Sequence, residues 1–258
     1  MHRLGRRLPH HVRKLLRLAR EELAAVAALG VAGGGVLAFI EIADDMTEAD
    51  GVAFDETVLA LLRPHPDPAD ALGPPWLETA MLDLTALGGI AVLVLFAAAA
   101  IGFLLIQRKW LSAVMLSVGL GGGVALSEGF KSLFDRDRPP LEVQAVETVN
   151  ASFPSGHALL STAFYLTLAV LLAHALPQKR LKAYVLGIGM LLALIVGISR
   201  VWLGAHWASD VMAGWCLGAA WAMSCWLVAY AFERWQRRRG GLLQDAPAVA
   251  NHGAVIGE

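Results

Sequence analysis

Charged residues are scarce in this sequence of 258 residues, and that scarcity limits the classes of protein it can belong to. Lys, Arg, Asp and Glu make up only 17% of the chain, whereas 57% is hydrophobic, and the mean hydropathy is +0.57. Because soluble domains carry about 25% charged residues, the composition indicates a protein that crosses a membrane several times. The net charge of −1 also excludes an overall positive field that would attract nucleic acid.

Cysteine is nearly absent as well. Cys216 and Cys225 are the two cysteines, and both fall within one apolar run. Their spacing of nine residues fits neither a metal-binding motif nor a disulfide framework. We therefore interpret them as small buried hydrophobic side chains.

Long hydrophobic runs, in contrast, are abundant, and they predict an all-α bundle of six transmembrane helices. A run of about 20 apolar residues spans the hydrocarbon core of a bilayer. The predicted spans cover residues 23–42, 86–106, 110–129, 156–176, 183–199 and 208–231. The first run is longer than the roughly 7 to 15 apolar residues of a signal peptide, so we interpret it as an uncleaved span.

Glycines are grouped within three of these spans and predict that helices approach each other closely there. The groups are Gly33–Gly35, Gly119–Gly123 and the pair Gly214 and Gly218.

The basic residues predict the orientation of the bundle. Of the 21 Lys and Arg residues, 16 lie on the side shared by both termini, which the positive-inside rule assigns to the cytoplasm. We therefore expect a basic cytoplasmic segment over residues 1–21, a membrane domain over residues 22–235 and a cytoplasmic tail over residues 236–258. The expected location is the plasma (inner) membrane, crossed several times.

The loop after the first span is acidic, with ten Asp and Glu residues against one Arg between residues 44 and 83. Within it, Phe54, Val58, Leu61 and Leu62 share one helical face. This spacing predicts a helix that lies in the extracytoplasmic interface, although an ordinary surface helix of a loop fits the pattern equally well.

Five basic residues fall on the extracytoplasmic side, and four of them belong to polar segments that the predicted topology brings to one membrane face. The five are Arg63, Lys131, Arg136, Arg138 and Arg200. We interpret Arg136 as part of a local ion-pair cluster with Asp135 and Asp137 rather than as a catalytic residue, although it can also contact a lipid headgroup.

The polar segments contain the elements of an anion site. Ser155 and Gly156 open a predicted helix, where a serine caps the first turn and free N–H groups attract an anion. Lys131, Arg138 and Arg200 would place three positive charges around that anion. The expected ligand is therefore an anion such as phosphate.

Two histidines and an aspartate add the groups that phosphoryl transfer requires. His206 and Asp210 are four residues apart, so on a helix the carboxylate can hold one imidazole nitrogen while the other attacks phosphorus. His157 would protonate the leaving oxygen and later activate water. The same three side chains can in principle ligate a metal, but the surrounding cations would repel it, so we predict neither a metal nor a cofactor.

Three ordered patterns resemble the signature motifs of the type 2 phosphatidic acid phosphatase superfamily, also called the lipid phosphate phosphatases. They are Lys131-x6-Arg138-Pro139, Pro154-Ser155-Gly156-His157 and Ser199-Arg200-x5-His206-x3-Asp210. The resemblance covers about residues 54 to 220, including Phe54-Asp55 and Thr85-Ala-Leu-Gly88, and every motif position is filled. It implies a six-helix membrane fold with a metal-independent active site near the extracytoplasmic surface.

The resemblance also implies a role for each motif residue. Phosphate is bound by the positions that match Lys131, Arg138, Ser155, Gly156 and Arg200. The position matching His157 is the general acid, and those matching His206 and Asp210 are the nucleophile and its orienting carboxylate. The superfamily also contains soluble vanadium haloperoxidases and acid phosphatases, and the six predicted spans argue against both.

Three functions fit these observations. The first is an integral-membrane phosphatase that removes the terminal phosphate of a lipid phosphate or diphosphate, such as phosphatidic acid, phosphatidylglycerol phosphate or undecaprenyl diphosphate. The second is a lipid phosphotransferase with the same phosphohistidine intermediate, and the third is a transporter or lipid-phosphate-binding protein without catalysis. The expected partners are this lipid substrate and the membrane lipid, and the sequence leaves the oligomeric state open.

Overall fold

The computed structural model describes residues 10–64, 67–146, 148 and 150–244, and the regular structure of these residues is entirely helical. The helices are α1 (His10–Asp45), α2 (Ala49–Leu61), α3 (Pro75–Ala86), α4 (Ile90–Ile106), α5 (Trp110–Phe134), α6 (Gly156–Ala175), α7 (Lys179–Trp202) and α8 (Ala208–Gln244). A short 3-10 turn, Leu141–Val143, lies between α5 and α6. The predicted all-α class is confirmed for this part of the chain.

Among the described residues, five or six helical spans are present, which is consistent with the six that the hydrophobic runs predict. Five are single helical stretches long and apolar enough to cross a membrane, namely Glu22–Asp45 of α1, α5, α6, α7 and Ala208–Arg237 of α8. Helices α3 and α4, which are bent by 46° at their junction, form a sixth span when the pair is counted as one. The protein is therefore an integral membrane protein with several membrane-spanning helices.

The predicted terminal segments are only partly described. Residues 1–9 of the basic segment and residues 245–258 of the tail lie outside the described residues. Helix α8 continues to Gln244, so the tail predicted to begin at residue 236 starts within a helix.

The second span differs from the single run predicted over residues 86–106. The helix breaks between Ala86 and Ile90, and the part before the break is α3, which begins at Pro75. At the break the hydroxyl of Tyr165 donates to the carbonyl oxygen of Leu87 at 2.7 Å. A Cβ on Gly88 would lie 2.3 Å from the side chain of Val196. Contacts with α6 and α7 therefore hold a break that the hydropathy pattern cannot show.

Helix α6 lies at the centre of the bundle and packs against α5, α7 and α8. Helix α8 approaches it so closely that a Cβ on Gly214 would lie 2.8 Å from the carbonyl oxygen of Ser155. A Cβ on Gly218 would lie 2.6 Å from that of Leu159. The close approach predicted for this glycine pair is confirmed.

The same prediction is wrong for most of the first glycine group. Gly33 and Gly34 have no neighbouring atom within 4 Å of an added Cβ, whereas one on Gly35 would lie 2.7 Å from the carbonyl oxygen of Cys216. Only one residue of the triplet therefore faces α8.

Helix α2 turns a different side toward the protein than its apolar pattern predicts. Phe54 and Leu61 are 45% and 69% exposed, whereas Asp55 is only 2% exposed. Val58 and Leu62 are half-buried. The apolar face is thus split, and the residue buried deepest is a carboxylate.

An aromatic cluster anchors the loop that precedes α6. Phe153 is fully buried, and its ring centroid lies 5.6 Å from that of Phe39 on α1 and 5.0 Å from that of Phe134 on α5. Ser152 and Ser155, on either side of this anchor, are also fully buried. The cluster therefore fixes the two serines relative to the ends of α1 and α5.

Candidate active site

The first motif lies at the end of α5. Lys131 is in the last turn, and its Nζ lies 3.3 Å from Oε1 of the exposed Glu128. The helix ends where Asp135 adopts the left-handed conformation, with φ 42°. This reversal directs residues 136–139 back across the ends of the other helices.

The second motif forms the N-terminus of α6 beside Lys131. Ser155 is the N-cap residue, and its Oγ accepts a hydrogen bond from the backbone N–H of Ala158 at 3.5 Å, which confirms the predicted cap. A Cβ on Gly156 would lie 3.6 Å from Nζ of Lys131. The absence of a side chain at Gly156 thus keeps the ammonium next to the first N–H groups of the helix, which have no partner within the helix.

The third motif starts at the end of α7. Arg200 is 4% exposed, and its Nη1 donates to Oγ1 of Thr85 at the break between α3 and α4, at 3.2 Å. Its Nε has no hydrogen-bond partner among the described residues. A buried N–H without a partner is costly, so this guanidinium has a donor available for an anion.

His206 lies in the short link between α7 and α8 and is 3% exposed. Its Nδ1 lies 3.4 Å from Oδ2 of Asp210 and 3.3 Å from Oγ of Ser152. The Ser152 hydroxyl donates to the same Oδ2 at 2.5 Å. With Nδ1 protonated, the imidazole is therefore held by the hydroxyl and the carboxylate together, and Nε2 remains the nitrogen that can react.

Arg138 contacts the reactive side of this imidazole. Its Nη1 lies 3.2 Å from Nε2 of His206 and donates to the carbonyl oxygen of Ala205 at 2.6 Å. Its Nε donates to the carbonyl oxygen of Asn150 at 2.6 Å. Backbone carbonyls thus keep the guanidinium at the position where a ligand of His206 would bind.

His157 completes the group from the first turn of α6. A Cβ on Gly88 would lie 3.3 Å from its carbonyl oxygen, so the helix break packs directly against it. Lys131, Arg138, Arg200 and His206 all lie close enough to act electrostatically on its imidazole. The residues predicted from the three motifs are therefore gathered in one place.

The surroundings of His206 keep its imidazole neutral. Burial is the largest cause, and it lowers the pKa of His206 to about 4; Asp210 raises this pKa, while Arg138 and Arg200 lower it further. A neutral imidazole has a free lone pair, which a nucleophile needs. Burial also lowers the pKa of Arg138 from its ordinary value, and Asp210 opposes that shift.

The metal-site alternative finds no support in this geometry. Among the described residues, no three His, Cys, Asp or Glu side chains are grouped as metal ligands. Both oxygens of Asp210 already accept hydrogen bonds, Oδ1 from Arg136 and Oδ2 from Ser152 and the N–H of Trp207.

Two residues beside the motifs were missed or misread by sequence reasoning. The role of Ser152 is not evident from the sequence, because nothing in a single sequence shows that its hydroxyl reaches residues 54 and 58 positions away. Arg136 does form ion pairs, but with Asp210 at 2.6 Å and Asp55 at 2.8 Å, not with its neighbours Asp135 and Asp137. The one sequence feature that pointed to Asp55 is its position in the Phe54-Asp55 segment, which belongs to the stretch that resembles the family.

Comparisons with known proteins agree with the fold and with the family that the sequence resembles. The PAP2 superfamily model matches residues 111–234. Phosphatidylglycerophosphatase B of Bacillus subtilis is 34% identical over 146 residues, which are 56% of this chain and 71% of that protein. Undecaprenyl-diphosphatase of Sulfolobus acidocaldarius is 31% identical over 121 residues, 45% of this chain and 54% of that protein.

A solved structure shares the architecture. The crystal structure of a transmembrane PAP2-type phosphatidylglycerolphosphate phosphatase from Bacillus subtilis matches with a TM-score of 0.70 and 25% identity, over 80% of this chain and 96% of that one. The family model, the identity to a relative over most of its length and the common fold agree with one another. This chain therefore belongs to the PAP2 superfamily and is a membrane phosphatase.

Proposed function

We propose that this protein hydrolyses the terminal phosphate of a lipid phosphate or diphosphate at the extracytoplasmic face of the plasma membrane, through a phosphohistidine formed on His206. The observation that carries this proposal is the setting of the His206 imidazole. Its Nδ1 is held by Ser152 and Asp210, and its Nε2 faces Arg138. An imidazole fixed on one side and open to a cationic cluster on the other is prepared to attack an anion.

The first step forms the intermediate. The lone pair of Nε2 attacks phosphorus, and the bond between phosphorus and the leaving oxygen breaks. His157 gives its proton to that oxygen, so the lipid leaves as an alcohol or as a lipid monophosphate. Lys131, Arg138 and Arg200, with the first N–H groups of α6 at Ser155 and Gly156, would stabilise the equatorial oxygens.

The second step returns the enzyme to its starting state. His157, now neutral, takes a proton from water, whose oxygen attacks phosphorus as the bond between phosphorus and Nε2 breaks. Inorganic phosphate is released, and Asp210 stabilises the positive charge on His206 throughout the covalent stage. The proton count balances, since His157 loses one proton in the first step and regains one in the second.

The names of the relatives favour a lipid substrate. The two relatives are named for phosphatidylglycerophosphate and undecaprenyl diphosphate, and phosphatidic acid carries a terminal phosphomonoester like that of phosphatidylglycerophosphate. The site lies at the ends of membrane-spanning helices, where a headgroup can reach it while the lipid tail stays in the bilayer. The excess of basic residues at the opposite end supports an extracytoplasmic site and cytoplasmic termini.

Purified protein in detergent tests the proposal with phosphatidic acid, phosphatidylglycerol phosphate and undecaprenyl diphosphate. We expect the wild type to release inorganic phosphate and His206→Ala to release none, while the control His174→Ala retains wild-type turnover. His174 suits the control because it is exposed at the opposite end of α6 from His157, where it contacts the carbonyl oxygen of Val170 and its ring centroid lies 6.1 Å from that of Trp226.

Other results would overturn the proposal. Phosphoryl transfer to an added lipid alcohol without free phosphate would indicate a phosphotransferase. Binding without turnover would indicate a transporter or binding protein. Equal phosphate release by His206→Ala would exclude His206 as the nucleophile.

A further inference from the structure

A buried carboxylate on α2 reaches the N-terminus of the helix that carries Asp210. Oδ1 of Asp55 accepts a hydrogen bond from the backbone N–H of Ser209 at 2.9 Å, and Oδ2 accepts one from the Ser209 hydroxyl at 2.5 Å. A carboxylate at this position satisfies an N–H that has no partner within the helix and complements the positive end of the helix dipole. Asp55 therefore fixes the first turn of α8.

The guanidinium of Arg136 joins this carboxylate to the one beside His206. Nη2 donates to Oδ2 of Asp55 at 2.8 Å, and Nη1 donates to Oδ1 of Asp210 at 2.6 Å. Nη1 also donates to the Ser209 hydroxyl at 2.8 Å. The planar fork of an arginine can bridge two carboxylates in this way, whereas the single ammonium of a lysine cannot hold both in the same geometry.

Because these three groups are buried, each charge depends on its partners for compensation. Asp55 and Asp210 are 2% and 0% exposed, and the Arg136 side chain is 14% exposed. Removal of one partner from a buried ion pair leaves an uncompensated charge, which is strongly unfavourable. Without Asp55, Asp210 alone would balance the charge of Arg136. The Asp210 carboxylate would then shift toward Arg136 and away from the imidazole of His206.

We propose that Asp55 is a positioning residue of the active site, which acts through Arg136 and Ser209 to hold Asp210 in place for His206. This inference rests on the proposed function. It gives α2, a helix that precedes the three motifs, a part in positioning the nucleophile. Asp55 itself touches neither His206 nor the proposed phosphate site.

The expected kinetic signature is a loss of turnover without a loss of binding. A misplacement of about 1 Å at a reacting group can cost about a hundredfold in rate, so we expect Asp55→Asn to lower kcat by about tenfold to a hundredfold. KM and the inhibition constant of inorganic phosphate should stay within about threefold, because Lys131, Arg138 and Arg200 do not contact Asp55. Inhibition by orthovanadate, which imitates the transition state, should weaken together with kcat.

The neighbouring acid provides a matched control. Glu56 lies on the same helix and is exposed, so Glu56→Gln makes the same chemical change without touching the network. We expect it to retain the kcat of the wild type. Thermal unfolding in detergent, measured for each variant, accounts for any change in the amount of folded protein.

A double-mutant cycle separates positioning from a general structural effect. If Asp55 acts through Asp210, Asp55→Asn should lower kcat by less than about threefold when Asp210 is already Asn. The assay uses radiolabelled substrate, since loss of the orienting carboxylate can reduce turnover about 10⁴-fold. A full additional loss in the Asp210→Asn background would overturn the inference, and so would an Asp55→Asn variant with wild-type kcat.

If Asp55→Asn does not fold, Arg136→Lys provides the test. We expect it to lower kcat about tenfold with KM unchanged, because lysine cannot bridge both carboxylates; wild-type kcat in this variant would overturn the inference. Failure of the proposed function is distinct, since it would appear as undiminished phosphate release by His206→Ala.

Discussion

At the scale of single residues, the support of His206 depends on a hydroxyl as well as a carboxylate. The direct distance from His206 to Asp210 is 3.4 Å, which is long for a hydrogen bond. Ser152 lies close to both groups and is fully buried. Ser152 therefore bridges Asp210 and His206 and helps to hold the imidazole in its orientation.

Replacement of Ser152 by alanine should weaken catalysis more than binding. Ser152→Ala leaves Asp210 with one fewer donor and the imidazole with only its long contact, so we expect kcat to fall about tenfold, within the usual effect of one lost hydrogen bond, with KM nearly unchanged. Ser132→Ala is the matched control, because Ser132 is exposed and donates only to the carbonyl oxygen of Gly129. A parallel rise in KM would show instead that Ser152 binds substrate.

The lowered pKa of His206 should also appear in the pH dependence of stability. The ordinary pKa of histidine is 6.5, and burial lowers that of folded His206 to about 4. Between these values the unfolded chain binds a proton that the folded chain does not, so this group lowers the free energy of unfolding as the pH falls from 6.5 to 4.

Thermal unfolding of the wild type and His206→Gln from pH 4 to 7 measures this contribution. We expect the midpoint temperature of the variant to fall less steeply with decreasing pH. Equal slopes would mean that the pKa of His206 is not lowered by folding.

At the scale of the helices, the contact between α6 and α8 sets the distance between two motifs. The backbone N–H of Ser155 donates to the carbonyl oxygen of Asp210 at 3.0 Å, so the start of one helix is bonded directly to the start of the other. This bond requires the close approach that Gly214 and Gly218 allow.

Addition of one methyl group at this contact should destabilise the bundle. In Gly218→Ala the Cβ would lie 2.6 Å from the carbonyl oxygen of Leu159, and overpacking of this kind costs about 1–3 kcal/mol. Gly102→Ala is the control, because nothing lies within 4 Å of a Cβ there. We expect thermal unfolding in detergent to show a lower midpoint for Gly218→Ala only, and an unchanged midpoint would mean that α8 can shift without cost.

At the scale of the whole molecule, the distribution of basic residues predicts the orientation of the bundle in the membrane. The α4–α5 turn carries Arg108 and Lys109 and lies at the opposite end of the spans from the site, whose connection between α5 and α6 contains Glu142. The positive-inside rule therefore predicts that Gln107 lies in the cytoplasm and Glu142 outside.

Labelling of introduced cysteines in intact cells tests this orientation. With Cys216 and Cys225 replaced by alanine, Glu142→Cys should react with a membrane-impermeant maleimide, whereas Gln107→Cys should react only after permeabilisation. Both positions are exposed in the structure. The reverse pattern would place the site in the cytoplasm.

Most of the architecture could be predicted because hydropathy is a local property of the chain. The runs around α1 and α5 to α8 are read directly from composition, and the three motifs are recognisable from short spacings such as that between His206 and Asp210. The bend between α3 and α4 could not be predicted, since Leu87 and Gly88 owe their conformation to Tyr165 and Val196 on other helices.

The sequence by itself determined the class of protein, the apolar runs that form the long helices and the residues proposed to handle phosphate, because these depend on composition and short spacings. Only the tertiary structure decided which groups support them. Asp55, Arg136 and Ser152 reach Asp210 or its helix across 58 to 154 residues of chain. Such pairings depend on helix packing, and no local pattern in one sequence records which buried charges will meet.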